Sequence, residues 1–205
     1  MAATRKSAMR VPILAHGAAY AKRRHVASDK KLRELILLIC NRSENDPPFG
    51  ATKLNKLLFF CDFIAYLEYG SPITGHEYFR LPKGPAPKKL VPIRERMKSR
   101  GELAYKQVDY FSYKQERPIA LREPDVSEFS AREIDLVDRV VRKFLNKTAS
   151  EISEYSHGFI GWKIAKQREL IPYHMALIGT RKPTPDEEKR GLKLDTLAKQ
   201  CLARP

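Results

Sequence analysis

The chain shows long stretches in which apolar residues recur with a helical period and one stretch in which they alternate. From Ser28, the positions Leu32, Leu35, Ile36, Leu38 and Ile39 fall at three- and four-residue spacing. They predict a helix to about Cys40 with Ser28 as its N-cap. Asn41 to Gly50, with Pro47-Pro48, reads as a loop. Ten of the eleven positions 57–67 are apolar or aromatic, Asp62 being the exception. A helix apolar all round is covered on every side. The segment 52–69, capped by Thr52 and ended by Gly70 as a left-handed C′ residue, is therefore the expected central buried element. Ser71 to Pro87 is rich in Pro and Gly and carries His76-Glu77-Tyr78-Phe79-Arg80, which reads as an extended, structured loop. A basic helix from about Pro87 to Arg100, closed by Gly101, comes next. Over 102–122 the pattern changes: Leu103, Tyr105, Val108, Tyr110, Phe111, Tyr113 and Ile119 suggest two or three short strands.

Three capping boxes follow, each an S/T-x-x-E in which side chain and backbone satisfy each other's orphan groups. Ser130 with Glu133 opens a helix whose stripe is Ile134, Val137, Val141, Phe144 and Leu145. Thr148 with Glu151 opens a short helix ending near His157-Gly158. Thr184 with Glu187 opens a C-terminal helix with Leu194, Leu197, Ala198, Cys201 and Leu202 on one face. The expected fold class is α+β, predominantly helical: a compact helical domain around the helix 52–69, with a small antiparallel β segment at 102–122. The expected organisation is a basic flexible tail over 1–27, a domain over 28–179, and a linker with an amphipathic helix over 180–205.

With 205 residues, the chain is long enough to bury a core without disulfides or metal. Cys40, Cys61 and Cys201 are odd in number and sit in apolar runs, so reduced thiols of a cytoplasmic, soluble protein are expected. The stretch Leu57 to Leu67 is far short of the roughly 20 residues of a membrane span. Residues 1–33 carry nine Lys or Arg against Asp29 alone, more than half of the net charge of +15. This composition is also that of a mitochondrial transit peptide, and the simpler reading is a flexible basic extension. Residues 80–100 hold eight Lys or Arg against Glu95. Such a run steers acidic partners or phosphate backbones, or it is simply a solvated helix face.

No Gly-rich phosphate loop, G-x-S-x-G, H-E-x-x-H or C-x-x-C is present, and the five histidines are dispersed. No enzymatic activity, cofactor or metal is expected. One helix stripe is informative: Asn55, Phe59, Asp62 and Tyr66 share a face. A carboxylate in an apolar run must reach water or find a donor, and Arg80, Tyr78 and His157 are the candidates. Either this is a packing network or it is a polar contact at the floor of a partner-binding groove.

The string Thr52-x-Leu54-x-Lys56-Leu57-Leu58-Phe59-Phe60-Cys61-Asp62 resembles the central motif of the SocA-like Panacea domain family. Further matches follow in order: Tyr69-Gly70-x-Pro72, the turn Leu81 to Pro87 containing Gly84-Pro85, Ser156-His157, Trp162, and Glu169-x-Ile171-Pro172. The small residue usual before the Asp is Cys61 here. The resemblance implies an antitoxin that neutralises a cognate toxin by direct binding, with a protease as a further partner where members act as adaptors. The alternative is a nucleic-acid-binding regulator, or an autoregulating antitoxin making weak nucleic-acid contact through residues 1–27 and the 80–100 cluster. No membrane partner is expected. Interface anchors are enriched in Tyr, Trp and Arg, so the expected partner-binding residues are Tyr78, Phe79, Arg80, Lys83, Lys88, Lys89, Arg94, Arg96 and Trp162. The motif residues Thr52, Leu54, Lys56, Leu57, Leu58, Asp62, Gly84, Pro85 and His157 are expected to be structural.

Overall fold

The protein is described by a computed structural model that covers residues 26–110, 113–179 and 184–202. The basic segment 1–27, except its last two residues, and the linker residues 180–183 lie outside the described residues.

Helix α1 (Asp29–Arg42) starts where the Ser28 hydroxyl accepts the Lys31 N–H at 3.1 Å, and it continues two residues past the expected end. Helix α2 (Ala51–Tyr69) ends on Gly70 at φ 72°, the left-handed cap its sequence demands. Its N-cap is Gly50 and not Thr52, and no side chain caps it. A Cβ at Gly50 would lie 2.8 Å from Gln115 Cγ, so any larger residue there would displace the Gln115 side chain. Leu54, Leu57, Leu58 and Phe59 are fully buried, whereas Leu67 is 40% exposed. The helix is thus enclosed on every side only as far as about Tyr66.

Two small antiparallel sheets accompany the helices. Strands β1 (Tyr78–Phe79), β2 (Ala86–Pro87) and β5 (Leu170–Ile171) form one, in the order β2-β1-β5. The other is a hairpin of β3 (Leu103–Tyr110) and β4 (Tyr113–Ala120), within the segment where alternation announced strands. Pro118 lies opposite Tyr105. Having no N–H, Pro118 suits a position outside the ladder hydrogen bonds. Helix α3 (Leu90–Ser99) fills the basic segment, and Gly101 follows it at φ 67°.

Helices α4 (Ala131–Lys143) and α5 (Ala149–His157) carry both members of their capping boxes. A short α6 (Ile160–Ile164) precedes β5, and α7 (Pro185–Leu202) closes the described chain with reciprocal Thr184 and Glu187 bonds of 2.8 and 3.3 Å. The core is the meeting of α1, α2 and α4 with an aromatic cluster. Phe59 and Phe63 meet Tyr78 and Phe159 edge to face, at centroid distances of 5.3–5.8 Å. Phe60 stacks on Phe144 at 4.7 Å. The fold is therefore predominantly helical α+β.

Candidate functional site

Asp62 is fully buried in the middle of α2. Its carboxylate accepts the Thr74 N–H at 2.7 Å and the Thr74 hydroxyl at 2.5 Å. The Tyr78 hydroxyl lies 2.8 Å from it and 3.0 Å from the Leu58 carbonyl, so one proton serves two acceptors. The Tyr173 hydroxyl is 3.4 Å away and also donates to the His76 carbonyl. Burial raises the Asp62 pKa, and the bonds from Thr74 and Tyr78 oppose that rise. Of the three donors anticipated from sequence, the structure brings in Tyr78, while Arg80 and His157 are engaged elsewhere. Thr74 and Tyr173 were not foreseen. Asp62→Ala is expected to destabilise the domain by about 1–3 kcal/mol, because the Thr74 donors lose their acceptor. Tyr78→Phe should cost about 1 kcal/mol, since Asp62 keeps Thr74. Urea denaturation at neutral pH would show the order, and equal losses would overturn it.

Six residues earlier on α2, Lys56 is 2% exposed and donates to the Pro85 carbonyl at 2.9 Å. Burial, and then the nearby Lys83 charge, lower its pKa to about 7. Gly84 sits directly over this ammonium at φ 97°. A Cβ there would lie 2.3 Å from Ser156 Oγ and 2.8 Å from Lys56 Cε. The Gly-Pro turn therefore docks between the motif helix and α5, and only glycine fits the approach.

Next to that turn, Trp162 is held by two ring contacts and two hydrogen bonds. The His157 ring stacks on one face at 4.0 Å and 16°, and the Arg80 guanidinium lies 4.4 Å from its centroid. Trp162 Nε1–H donates to the Leu81 carbonyl at 3.0 Å, and Arg80 Nε donates to the Trp162 carbonyl at 3.0 Å. Beside the stack lies an open groove of about 540 Å³, bordered by Gly50, Lys83, Lys114, Ser153 and His157. His157 Nε2 is buried without a partner among the described residues.

The expected partner-binding residues separate into two groups. Tyr78 is 1% exposed and belongs to the Asp62 network, which corrects its place as a surface anchor. Arg94 is also covered: its side chain is 16% exposed, and its guanidinium lies 4.4 Å from the Tyr105 centroid and 3.7 Å from the Glu116 carboxylate. Lys88 pairs with Glu77 and Arg96 with Asp29, at 3.1 and 2.8 Å. Phe79 and Trp162 are half-buried, and Lys83 and Lys89 are exposed. Half of the run of charge over 80–100 is compensated: Lys88, Arg94 and Arg96 by acids from other elements and Lys98 by Glu95 of its own helix.

Sequence reasoning also missed two ion pairs, one buried and one that reaches from the surface to a buried carboxylate. Lys53 meets Asp46 at 2.5 Å with both side chains 1% exposed. Glu34, 2% exposed, takes a bidentate Arg122 at 2.7 and 2.8 Å and the Asp125 N–H at 2.8 Å. No periodicity marks such pairs, because their partners are far apart in sequence. Among the described residues, no three His, Cys, Asp or Glu side chains converge as a metal site, and no helix is long and apolar enough to cross a membrane.

The fold is thus a helical α+β domain whose diagnostic residues are spent on one buried helix, the turn that docks on it, and the tryptophan stack beside that turn. The family model for the antitoxin SocA-like Panacea domain matches residues 54–163 of the 205, and the chain belongs to that family. Lys56, Asp62, Gly84, Pro85, His157 and Trp162 fall within the match; Thr52 and the Tyr173 segment fall outside it. No curated protein and no solved structure matches the chain.

Proposed function

We propose that the chain is an antitoxin that neutralises a cognate toxin by direct protein–protein binding, without catalysis of its own. The observation that carries this reading is membership of the antitoxin-like family over residues 54–163. The geometry is consistent with it. The polar motif residues Lys56 and Asp62 are consumed in packing, and Lys83 and His157 border an open groove where a partner can rest. A proteolytic adaptor role would use the same complex, with a protease as third component.

Nucleic-acid binding is the weaker reading, because ion pairs occupy Lys88, Arg94, Arg96 and Lys98 of the basic run. The test is co-expression with the product of a small neighbouring reading frame that arrests growth when expressed alone. Restored growth and co-purification of the two chains are expected. Growth arrest that persists despite a folded, abundant antitoxin would overturn the proposal. Restored growth with loss of the toxin polypeptide would place neutralisation on the proteolytic route.

A further inference from the structure

Part of the unpaired positive charge of the domain lies beyond the basic run over 80–100, on and after α6. Lys83, Lys163, Lys166 and Arg168 are all exposed, and none forms an ion pair with a carboxylate among the described residues. Three of them lie within six residues of chain, and Lys83 is joined to that segment through the Leu81–Trp162 bond. Lys163 belongs to α6 with Trp162, and Lys166 and Arg168 sit in the turn that follows. That turn is fastened to β1 by two backbone bonds of 2.9 Å, Arg168 N–H to the Arg80 carbonyl and Arg80 N–H to the Glu169 carbonyl. Lys83 lies two residues beyond Leu81, whose carbonyl takes the Trp162 indole N–H. The one acid of the turn, Glu169, is exposed as well, and its carboxylate is tied to the turn by the Lys166 backbone N–H at 2.5 Å. Arg168 adopts φ 63°, a left-handed conformation that few residues other than glycine take up. Two apolar side chains stand on the same segment, Ile164 at 64% and Leu170 at 40% exposure.

We infer that this face, built on α6 and the turn after it, receives an acidic segment of the partner protein that carries an apolar side chain. The inference rests on the reading of the chain as a toxin-binding protein and adds to it the location and the chemistry of the contact. Charge complementarity supplies the acidic character: four cations without internal partners attract and orient an oppositely charged segment. Ile164 and Leu170 supply apolar area that a purely electrostatic contact would leave wet. The tryptophan argues against single-stranded nucleic acid. Binding of that kind stacks bases on an aromatic face, and the Trp162 ring already stacks with His157 and carries the Arg80 guanidinium. Trp162 is therefore the rigid support of the face, and the charges and aliphatic groups around it make the contact.

The experiment uses the full chain and a phage-displayed library of random dodecapeptides, so it does not depend on knowing the toxin. The library is panned on the wild type and, in parallel, on the Lys163→Glu, Lys166→Glu, Arg168→Glu triple variant. Circular dichroism and an unchanged melt confirm that the variant is folded. The expected result is a set of clones retained only by the wild type, rich in Asp and Glu with at least one aliphatic or aromatic residue. Their synthetic peptides should bind the triple variant at least tenfold more weakly and Ile164→Ala several-fold more weakly. A control pair on α3, Lys89→Glu with Arg100→Glu, should change affinity less than twofold. Equal recovery on both proteins, or selection of neutral or basic clones, overturns the inference. Retention of a 30-base-pair DNA duplex at about 150 mM salt that is lost in the triple variant, with no peptide selected, also overturns it and assigns the face to nucleic acid. The antitoxin reading is judged separately by growth rescue. Rescue undiminished by the triple variant relocates the contact and leaves the function standing, whereas failure of the wild type to rescue removes the function.

Discussion

Asp46→Ala is expected to destabilise the fold by about 3–5 kcal/mol, because it strands a buried ammonium. Asp46 sits in the loop between α1 and α2, and its Oδ2 lies 2.5 Å from Lys53 Nζ, with both side chains 1% exposed. The same carboxylate accepts the Asn146 N–H at 3.0 Å, and Asn146 occupies the left-handed region at φ 59°. Lys53 in turn donates to the Lys147 carbonyl at 2.7 Å. One ion pair thus ties three places together: the loop, the first turn of α2 and the turn that links α4 to α5. Burial already lowers the Lys53 pKa, and Asp46 is the main influence opposing that. Without the carboxylate, Lys53 must either stay charged beside a lone carbonyl or give up its proton, and both are costly. The double variant Asp46→Leu, Lys53→Met should recover most of the loss, since replacing both charges by apolar groups of similar volume is often neutral. Urea unfolding at about pH 7 measures all three proteins. A loss below about 1 kcal/mol in Asp46→Ala would show that water reaches the pair.

What was legible in the sequence is what local periodicity encodes. The apolar run of α2 announced the central helix, because no other fold position accommodates ten apolar residues in eleven. Ser130 with Glu133 and Thr148 with Glu151 announced their helices, because a capping box lies within four residues of sequence. Asp62 was legible as a carboxylate in need of a donor. The identity of most of its donors was not: Tyr173 is 111 residues away, and no local pattern links the two. Tyr78 was misplaced for a related reason. Its neighbours Glu77 and Arg80 are polar, so the string reads as surface, yet strand β1 turns alternate residues inward and buries Tyr78 at 1% exposure. The basic run misled in the same way. Arg96 meets Asp29 at a separation of 67 residues, and Arg94 meets Glu116 across the hairpin. Charge counted along the chain differs from charge left unpaired in space, and only the second can steer a partner. The three-stranded sheet of two-residue strands had no readable signal at all, since a pair of residues is too short to show a period.

Between about pH 6.5 and 8.5 the wild type is expected to gain about 2 kcal/mol of stability relative to Lys56→Met. The sign follows from proton binding. In the unfolded chain Lys56 titrates near its ordinary value of about 10.4, whereas in the fold burial and the Lys83 charge lower it to about 7. Between those two values the unfolded state binds more protons than the folded one, so stability rises with pH across the interval. Below about pH 7 the lysine is charged in both states, and its burial penalty is constant. The thiols of Cys40 and Cys61 work in the opposite sense, since burial raises the Cys40 pKa to about 12 and that of Cys61 well above its usual value. Their contribution is present at low pH and fades as pH rises through the usual thiol range. Comparing wild type with Lys56→Met at each pH cancels it, because both proteins keep the thiols. Methionine fills the lysine's volume but leaves the Pro85 carbonyl without its donor. The variant therefore also tests how far that bond fastens the Gly84-Pro85 turn, and with it the Arg80–Trp162 stack that begins four residues earlier. Chemical denaturation at five pH values would settle the matter. Parallel curves for the two proteins from pH 6.5 to 8.5 would mean that Lys56 stays protonated in the fold, with its charge solvated by more than the single Pro85 carbonyl.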